Sequence, residues 1–218
     1  MSQPARSNHP DRFRRVVALV PVRSLETAKS RLGGRLDAEE RQALVRDLLA
    51  QTVAAAVAAA GLAGTIVVSA DESLLELARS LGADALPETG GGLNAALDEA
   101  RVAAIGADAT AVLALPADLP RVSPAAIEAV LDAGRAAARQ APDRPVVVLV
   151  PDRHGEGTNA LLLAPPEAIP FAFGPGSRRR HAGLATGVGA TYRELEGSAL
   201  SLDLDTPEDL LLAGGPVP

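Results

Sequence analysis

The chain lacks cysteine altogether and has few aromatic residues. Among its 218 residues there are no cysteines, no tryptophans, three phenylalanines and one tyrosine. The absence of cysteine excludes disulfides, thiolate catalysis, cysteine-ligated zinc and iron–sulfur clusters. The scarcity of rings leaves few platforms for stacking single-stranded nucleic acid, and the net charge of -6 disfavours a broad nucleic-acid surface.

Long apolar runs and metal-binding histidine spacings are also missing. The most apolar stretch, residues 53–60, is too short to span a bilayer, and the three histidines are scattered. Residues 1–15 are polar and arginine-rich without an apolar segment, so they predict a disordered tail rather than a signal peptide. A soluble, cytoplasmic protein without a nucleic-acid or membrane partner is expected.

Hydrophobic residues make up 47% of the chain, which is enough for a buried core. Short apolar runs with strand character, for example at 16–20 and 111–115, alternate with helical patterns. This alternation predicts an α/β fold with a mostly parallel sheet, helices on both faces and antiparallel additions at one side. Residues 200–204 are predicted to form the last strand. We expect a single domain over residues 16–213.

The three commonest ligand motifs of α/β proteins are absent. The loop after the first predicted strand lacks the glycine pattern of dinucleotide-binding folds, and there is no P-loop. A nucleophile elbow of the G-x-S-x-G type is also missing. Because ligands of such sheets bind where the strands end, the loops that follow strands become the candidate site.

The first of these loops carries three cations, Arg23, Lys29 and Arg31. They suit a triphosphate, which needs several positive groups. Lys29 is the only lysine beside twenty arginines, and a compact ammonium at this point is one way to hold a phosphate. The alternative is an ordinary solvated basic loop.

Acidic residues follow two later strands. Asp118 lies between two prolines at the end of a strongly apolar strand, and Asp203 and Asp205 share one face of the last predicted strand. Two carboxylates on one face of an apolar strand are unfavourable without a cation, and Mg²⁺ prefers one or two carboxylates plus substrate phosphates. The alternatives are that Asp118 caps a turn and that Asp205 helps to cap the terminal helix.

Two further segments suit close contact with a ligand. In the sequence Gly-Gly-Gly-Leu-Asn at 90–94, the glycines allow close backbone approach and Asn94 offers an amide to a base or ribose. Ser177 begins a predicted helix next to three arginines and favours an anion. A flexible loop, a solvated helix face and an ordinary strand position for Thr158 are the alternatives.

Six segments in this order resemble the CofC/FbiD family of guanylyltransferases, relatives of the molybdenum-cofactor guanylyltransferases. They are P-V-R-S-L-E-T-A-K-S-R-L at 21–32, G-G-L-N at 91–94, P-A-D-L-P at 116–120, G-T-N-A-L at 157–161, F-G-P-G-S at 173–177 and D-L-D-T-P-E-D-L at 203–210. Each is unspecific alone, whereas the ordered set is specific and covers residues 16–212. Arg23 stands where the family often has lysine, a departure that keeps the charge.

The resemblance implies a Rossmann-like nucleotidyltransferase fold and a reaction between GTP and a three-carbon phosphorylated acid. Bacterial members similar to this chain use phosphoenolpyruvate, and archaeal ones are associated with 2-phospho-L-lactate. The product, a guanosine diphosphate conjugate, feeds the synthesis of coenzyme F(420), so the next pathway enzyme is a possible partner.

The resemblance also assigns the site residues. Asp118, Asp203 and Asp205 would hold Mg²⁺, and Thr158, Gly174 and Ser177 would bind the carboxylate end of the acid. Lys29 and Arg31 would face the triphosphate, and Gly92, Leu93 and Asn94, with Arg23, would lie on the nucleotide side. A phosphate attacking the α-phosphorus of GTP needs no strong base, which fits a site without an evident histidine.

Three alternatives stay open on the sequence. The first is a nucleotidyltransferase with another acceptor, such as a molybdopterin. The second is a sugar-transferring enzyme of related architecture. The third is a non-catalytic nucleotide-binding domain, which the presence of all three aspartates disfavours.

Overall fold

A run of six buried apolar residues forms the first strand of a seven-stranded sheet. The structure, a computed structural model, describes residues 12–25, 32 and 34–214. The strands are β1 (Val16–Pro21), β2 (Leu62–Ser69), β3 (Asp84–Pro87), β4 (Ala111–Ala114), β5 (Val146–Pro151), β6 (Thr158–Ala164) and β7 (Thr191–Glu194). The helices of the described part are α1 (Ala38–Ala58), α2 (Glu72–Ser80), α3 (Leu93–Gly106), α4 (Pro124–Gln140), α5 (Ser177–Gly187) and α6 (Pro207–Leu212). Within that part, none is long and apolar enough to cross a membrane.

The strand order is β3-β2-β1-β4-β6-β5-β7. The neighbouring pairs are parallel except at β6, which runs antiparallel to both β4 and β5. The predicted α/β class and the parallel majority are confirmed, but the antiparallel strand lies inside the sheet rather than at its side. Because β6 runs the other way, its first residues, Thr158 and Asn159, lie at the edge where β1 and β4 end.

Helices cover both faces of the sheet, as the alternation predicts. The side chains of β1 alternate between two clusters: Val16 and Ala18 pack with α1 and α4, whereas Val17 and Leu19 pack with α3 and α5. Strands buried on both faces read as continuous apolar runs, which explains the composition of β1, β4 and β5. The edge where these strands end is left open for the site.

Helix starts follow the capping signals in the sequence. The Asp37 carboxylate accepts the Glu40 N–H at 2.9 Å, and Glu40 accepts the Asp37 N–H at 2.8 Å, a capping box before α1. Ser123 accepts the Ala126 N–H at 3.2 Å and precedes Pro124 at the start of α4. Both starts are thus determined by residues within three positions of the helix.

The predicted strand at 200–204 is wrong. Residues Ala199–Ser201 form a 3-10 turn, and residues 202–205 are extended but pair with no strand of the sheet. The Leu204 N–H instead donates to the Asp118 carbonyl at 2.9 Å, so the segment crosses the loop that follows β4. The alternation of apolar and polar residues there reflects burial, not strand pairing. Leu202 and Leu204 are buried, whereas Asp203 and Asp205 are partly exposed.

Two residues before the predicted boundary at residue 16 pack against the domain, whereas residues 1–11 of the predicted tail lie outside the described residues. Phe13 is only 7% exposed and belongs to the same core cluster as α4. The Arg15 N–H donates to the Thr110 hydroxyl at 3.0 Å, which ties the chain to the start of β4. The packed domain therefore includes residues 12–15.

Candidate active site

A cavity of about 910 Å³ opens at the edge where β1 and β4 end and β6 begins. Nine of the residues predicted from the sequence line it: Arg23, Gly92, Leu93, Asp118, Thr158, Gly174, Ser177, Asp203 and Asp205. Lys29 and Arg31 lie outside the described residues. Positions almost two hundred residues apart in the chain thus meet at one edge of the sheet, as expected for parallel strands.

Three aspartates line the cavity together, Asp118 from the loop after β4 and Asp203 and Asp205 from the 202–205 segment; this part of the lining is called the acidic wall. The backbone bond from Leu204 to the Asp118 carbonyl holds the two segments together. Burial, and then the negative charges of Asp118 and Asp205, raise the pKa of Asp203. A cation removes this mutual repulsion, so the carboxylates are suited to bind one. In the part of the chain that the structure describes, no three acidic or histidine side chains form a ready-made metal cage.

That arrangement suits an ion that completes its shell with substrate oxygens. Mg²⁺ usually keeps several waters and takes one or two carboxylates together with phosphates, rather than an all-protein cage. Asn159 supports the acidic wall from β6: its amide donates to the Leu200 carbonyl at 3.1 Å and to Asp203 at 3.4 Å. Asn159 was not predicted as a site residue, although it lies inside the G-T-N-A-L segment.

Asp209 holds Asp205 in place from the start of α6. One of its carboxylate oxygens accepts the Asp205 N–H at 3.1 Å and the Thr206 N–H at 2.7 Å, and Arg153 lies 2.9 Å from the other. Burial alone would raise the pKa of Asp209, but the bonds from Thr206 and Asp205 and the charge of Arg153 lower it. The capping box T-P-E-D was the sequence signal, but its role in fixing Asp205 appears only in three dimensions.

A second wall of the cavity presents hydroxyl groups. Thr158, 7% exposed, and Ser177, 1% exposed, lie 3.1 Å apart through their hydroxyl oxygens. His181 lies behind them, fully buried, with Nδ1 3.0 Å from the Thr158 hydroxyl. No histidine is evident at the site from the sequence, yet Ser177 and His181 are four residues apart on α5 and therefore share a face. That spacing was the missed signal.

A loop over residues 172–176, here called the acid-side loop, borders this wall. Asn94 fastens it to α3: its amide donates to the Phe173 carbonyl at 3.2 Å and accepts the Phe173 N–H at 2.8 Å. Arg180 donates to the Ala172 carbonyl at 2.9 Å from the other side. Gly174 has a φ of 114°, a conformation that favours glycine.

The basic residues at the start of α5 do not line the cavity as the sequence suggested. Arg178 donates to Glu194 and to the Gly155 carbonyl, and Arg180 donates to carbonyls of the acid-side loop. The first helical N–H groups are also used, since Ser177 donates to the Gly174 carbonyl at 3.0 Å. The wall therefore offers hydroxyls and loop backbone rather than a cluster of guanidinium groups.

The end of β1 and the start of α3 form the side of the cavity where the sequence predicts the nucleotide. Arg23 is exposed after β1, and Gly92, with a φ of 82°, precedes Leu93 at the first position of α3. Asn94 does not line the cavity and has both ends of its amide bonded to Phe173. Its predicted contact with a base therefore has to compete with that pairing.

Comparisons with known proteins agree with this arrangement. The family described as "Guanylyl transferase CofC like" matches residues 16–213. A phosphoenolpyruvate guanylyltransferase of Rubrobacter xylanophilus is 47% identical, with 89% of this chain and 91% of the relative covered. Another from Sphaerobacter thermophilus is 43% identical over 93% of this chain and 94% of the relative.

Solved structures share the fold at low sequence identity. A putative nucleotide-diphospho-sugar transferase from Desulfovibrio desulfuricans has a TM-score of 0.69 at 16% identity, covering 89% of this chain and 84% of its own. A 4-diphosphocytidyl-2C-methyl-D-erythritol synthase from Anaerococcus prevotii has a TM-score of 0.60 at 10% identity, with 92% and 95% covered. These likenesses confirm a nucleotidyltransferase-type fold. By the match over residues 16–213 and by its relatives, the chain belongs to the family of CofC-like guanylyl transferases.

Proposed function

We propose that this chain is a guanylyltransferase that transfers GMP from GTP to phosphoenolpyruvate and releases diphosphate. One observation carries the proposal: three carboxylates and a pair of buried hydroxyls line the same cavity. The first suits a metal-bound triphosphate and the second a small anion. The relatives named phosphoenolpyruvate guanylyltransferase support this choice of acceptor. The product would then enter the synthesis of coenzyme F(420).

The reaction needs orientation and charge neutralisation more than proton transfer. A phosphate oxygen of phosphoenolpyruvate forms a bond to the α-phosphorus of GTP. The bond between that phosphorus and the oxygen that bridges the α- and β-phosphates breaks, and diphosphate leaves. The acceptor oxygen is already anionic, so no base has to remove a proton. Thr158, Ser177 and the backbone at Gly174 orient the acid, and Arg23 with the Gly92–Leu93 corner borders the nucleotide.

The acidic wall fits a divalent cation on its own chemistry. Asp118, Asp203 and Asp205 would hold Mg²⁺; burial, and after it the negative charges of Asp118 and Asp205, raise the pKa of Asp203, and a bound cation would offset both effects. When bound, Mg²⁺ neutralises phosphate charge and stabilises the leaving diphosphate. Lys29 and Arg31 stay predictions for the same leaving group, from outside the described residues.

The direct test is a diphosphate-release assay with the purified chain, MgCl₂ and GTP, run with phosphoenolpyruvate, with 2-phospho-L-lactate and without acceptor. We expect release only with an acceptor, fastest with phosphoenolpyruvate, and a guanylylated product by mass spectrometry. ATP and CTP in place of GTP check the base. Absence of acceptor-dependent release under all these conditions would contradict the proposal.

Asp118→Asn tests the acidic wall with a matched control. We expect turnover to fall by on the order of 100-fold, the scale seen when a transition-state electrostatic group is removed. The control is Asp132→Asn, because Asp132 is an exposed carboxylate on α4, 74% exposed and paired with Arg135. Retention of more than about a tenth of wild-type turnover by Asp118→Asn argues against its role.

A further inference from the structure

Three buried side chains form a hydrogen-bonded row behind the acid side of the cavity. The row runs from the Ala172 N–H to His181, then to Thr158 and to Ser177. The Ala172 N–H lies 3.0 Å from His181 Nε2, His181 Nδ1 lies 3.0 Å from the Thr158 hydroxyl, and Thr158 lies 3.1 Å from the Ser177 hydroxyl. Both hydroxyl residues line the cavity, whereas His181 does not.

The backbone contact determines which nitrogen of His181 carries the proton. A backbone N–H only donates, so Nε2 must be the unprotonated, accepting nitrogen. A neutral imidazole then has its proton on Nδ1, which donates to the Thr158 hydroxyl oxygen. Burial and the nearby positive charge of Arg180 lower the pKa of His181 to about 4, which keeps the ring neutral near pH 7.

Counting donors then fixes what the hydroxyl pair offers to a ligand. His181, Thr158 and Ser177 together have three N–H or O–H protons, and two of them are used in the two bonds within the row. Whichever hydroxyl donates to the other, one O–H is left over. In the opposite tautomer, Thr158 would donate to His181 and Ser177 to Thr158, and no proton would be left. The pair would then present only lone pairs, which repel an anion.

We propose that His181 is a positioning residue for the carboxylate of the acceptor acid. The Ala172 N–H holds His181 in its Nδ1–H tautomer, and in this state the Thr158–Ser177 pair presents one O–H donor to that carboxylate. This rests on the proposed function for the identity of the acid. The acid-side loop is part of the device, because Asn94 and Arg180 hold the backbone that carries Ala172 and Phe173. Selection of an anionic acceptor thus depends on a side chain that does not touch it.

The tautomer can be measured in the free protein, without any activity. The chain has only three histidines, so a long-range ¹H–¹⁵N correlation spectrum of protein labelled with ¹⁵N-histidine is simple, and His154→Gln assists its assignment. At pH 7 we expect His181 to show a protonated Nδ1 and an unprotonated Nε2. A protonated Nε2, or a doubly protonated ring, overturns the proposal.

Two substitutions separate hydrogen bonding from packing. His181→Asn keeps an N–H donor near the position of Nδ1 but loses side-chain volume. His181→Leu has no donor but keeps apolar volume against Phe173, whose ring centroid lies 5.1 Å from that of His181. Both lose the acceptor for the Ala172 N–H. In His181→Leu the two hydroxyls still have one O–H to spare, but no N–H holds the Thr158 oxygen, so that O–H is no longer directed towards the acid. We therefore expect KM for phosphoenolpyruvate to rise by about 10-fold, the low end of the range for a bond to a charged group, and by much less in His181→Asn.

The nucleotide serves as the internal control. KM for GTP should be nearly unchanged in both variants. Substitution of the exposed His154, as His154→Gln, should leave kcat and both KM values unchanged. If His181→Leu binds the acid as well as His181→Asn, or if the two KM values rise together, the residue acts through packing and the proposal is wrong.

A truncated ligand identifies the group that is bound. Wild type and His181→Leu are titrated calorimetrically with two ligands. Phosphoglycolate has both a carboxylate and a phosphate, whereas ethyl phosphate lacks the carboxylate. We expect His181→Leu to weaken the first and not the second. An equal loss for both contradicts the carboxylate assignment. Because these titrations and the spectrum need no turnover, they test His181 even if GMP transfer to phosphoenolpyruvate is not observed.

Discussion

Mild acid is expected to destabilise the fold through His181 before the carboxylates contribute. Burial and, secondarily, Arg180 lower the pKa of His181 from 6.5 to about 4. The unfolded chain therefore takes up a proton at this ring as the pH falls below its ordinary pKa, while the folded chain does not. Since the unfolded state binds more protons in this window, the free energy of unfolding decreases as the pH is lowered.

The size of the effect follows from the shift. Each pKa unit corresponds to about 1.4 kcal/mol, so the loss reaches about 2 kcal/mol near pH 5 and about 3 kcal/mol near pH 4. Asp71, Asp209 and Glu194 have lowered pKa values, so they stabilise the fold above their unfolded pKa and lose that contribution only as the pH falls further. Asp203 acts in the opposite direction, because its raised pKa makes the folded chain bind its proton before the unfolded chain does. The decline in the upper part of the window is therefore assigned to His181.

Urea unfolding followed by circular dichroism at several pH values between about 7 and 4.5 measures this dependence. His181→Asn should show a much flatter dependence than wild type, whatever its absolute stability, and His154→Asn should follow wild type. A wild-type free energy of unfolding that stays constant across the window would refute the reasoning. So would an equal decline in His181→Asn.

Three further substitutions are expected to have distinct effects. Asp209→Asn weakens the bonds that hold Asp205, so we expect a loss of about 2 kcal/mol in urea unfolding and a lower kcat; normal values for both would contradict its supporting role. In Gly174→Ala the alanine has to adopt a φ of 114°, which costs about 1–3 kcal/mol. KM for the acid should therefore rise in steady-state assays, whereas KM for GTP should not. Asn94→Ala releases the acid-side loop from α3, so both KM values should rise, unlike in Gly174→Ala; an effect on GTP alone would favour base contact instead.

Much of the site was predictable because each part has a local signature. Asp118 follows a buried strand, and ligand-binding residues of parallel sheets lie where strands end, so its place at the edge followed from pattern alone. Thr158 and Ser177 were found through their segments, not through any geometry. The order of six short motifs then identified the family, which the match over residues 16–213 confirmed.

Three features that the sequence did not reveal share one cause: pairing between distant residues has no local signature. Residues 200–204 have the alternation of a strand, yet a bond from Leu204 to the carbonyl of Asp118 takes them across the edge of the sheet. The amide of Asn94 looked available for a ligand, but its partner is Phe173, seventy-nine positions away. His181 looked isolated until Thr158 and Ala172 were placed against its two nitrogens.

The sequence by itself determined the alternation of strands and helices, the capped helix starts and the residue types of the site, because these depend on neighbours within a few positions. Only the tertiary structure decided that β6 inserts antiparallel between β4 and β5, which turns its first residues, Thr158 and Asn159, towards the open edge. It also decided which donor meets which acceptor inside the core. Such choices depend on which sheet edges and polar groups remain unpaired once the whole chain has packed, and no short segment contains that information.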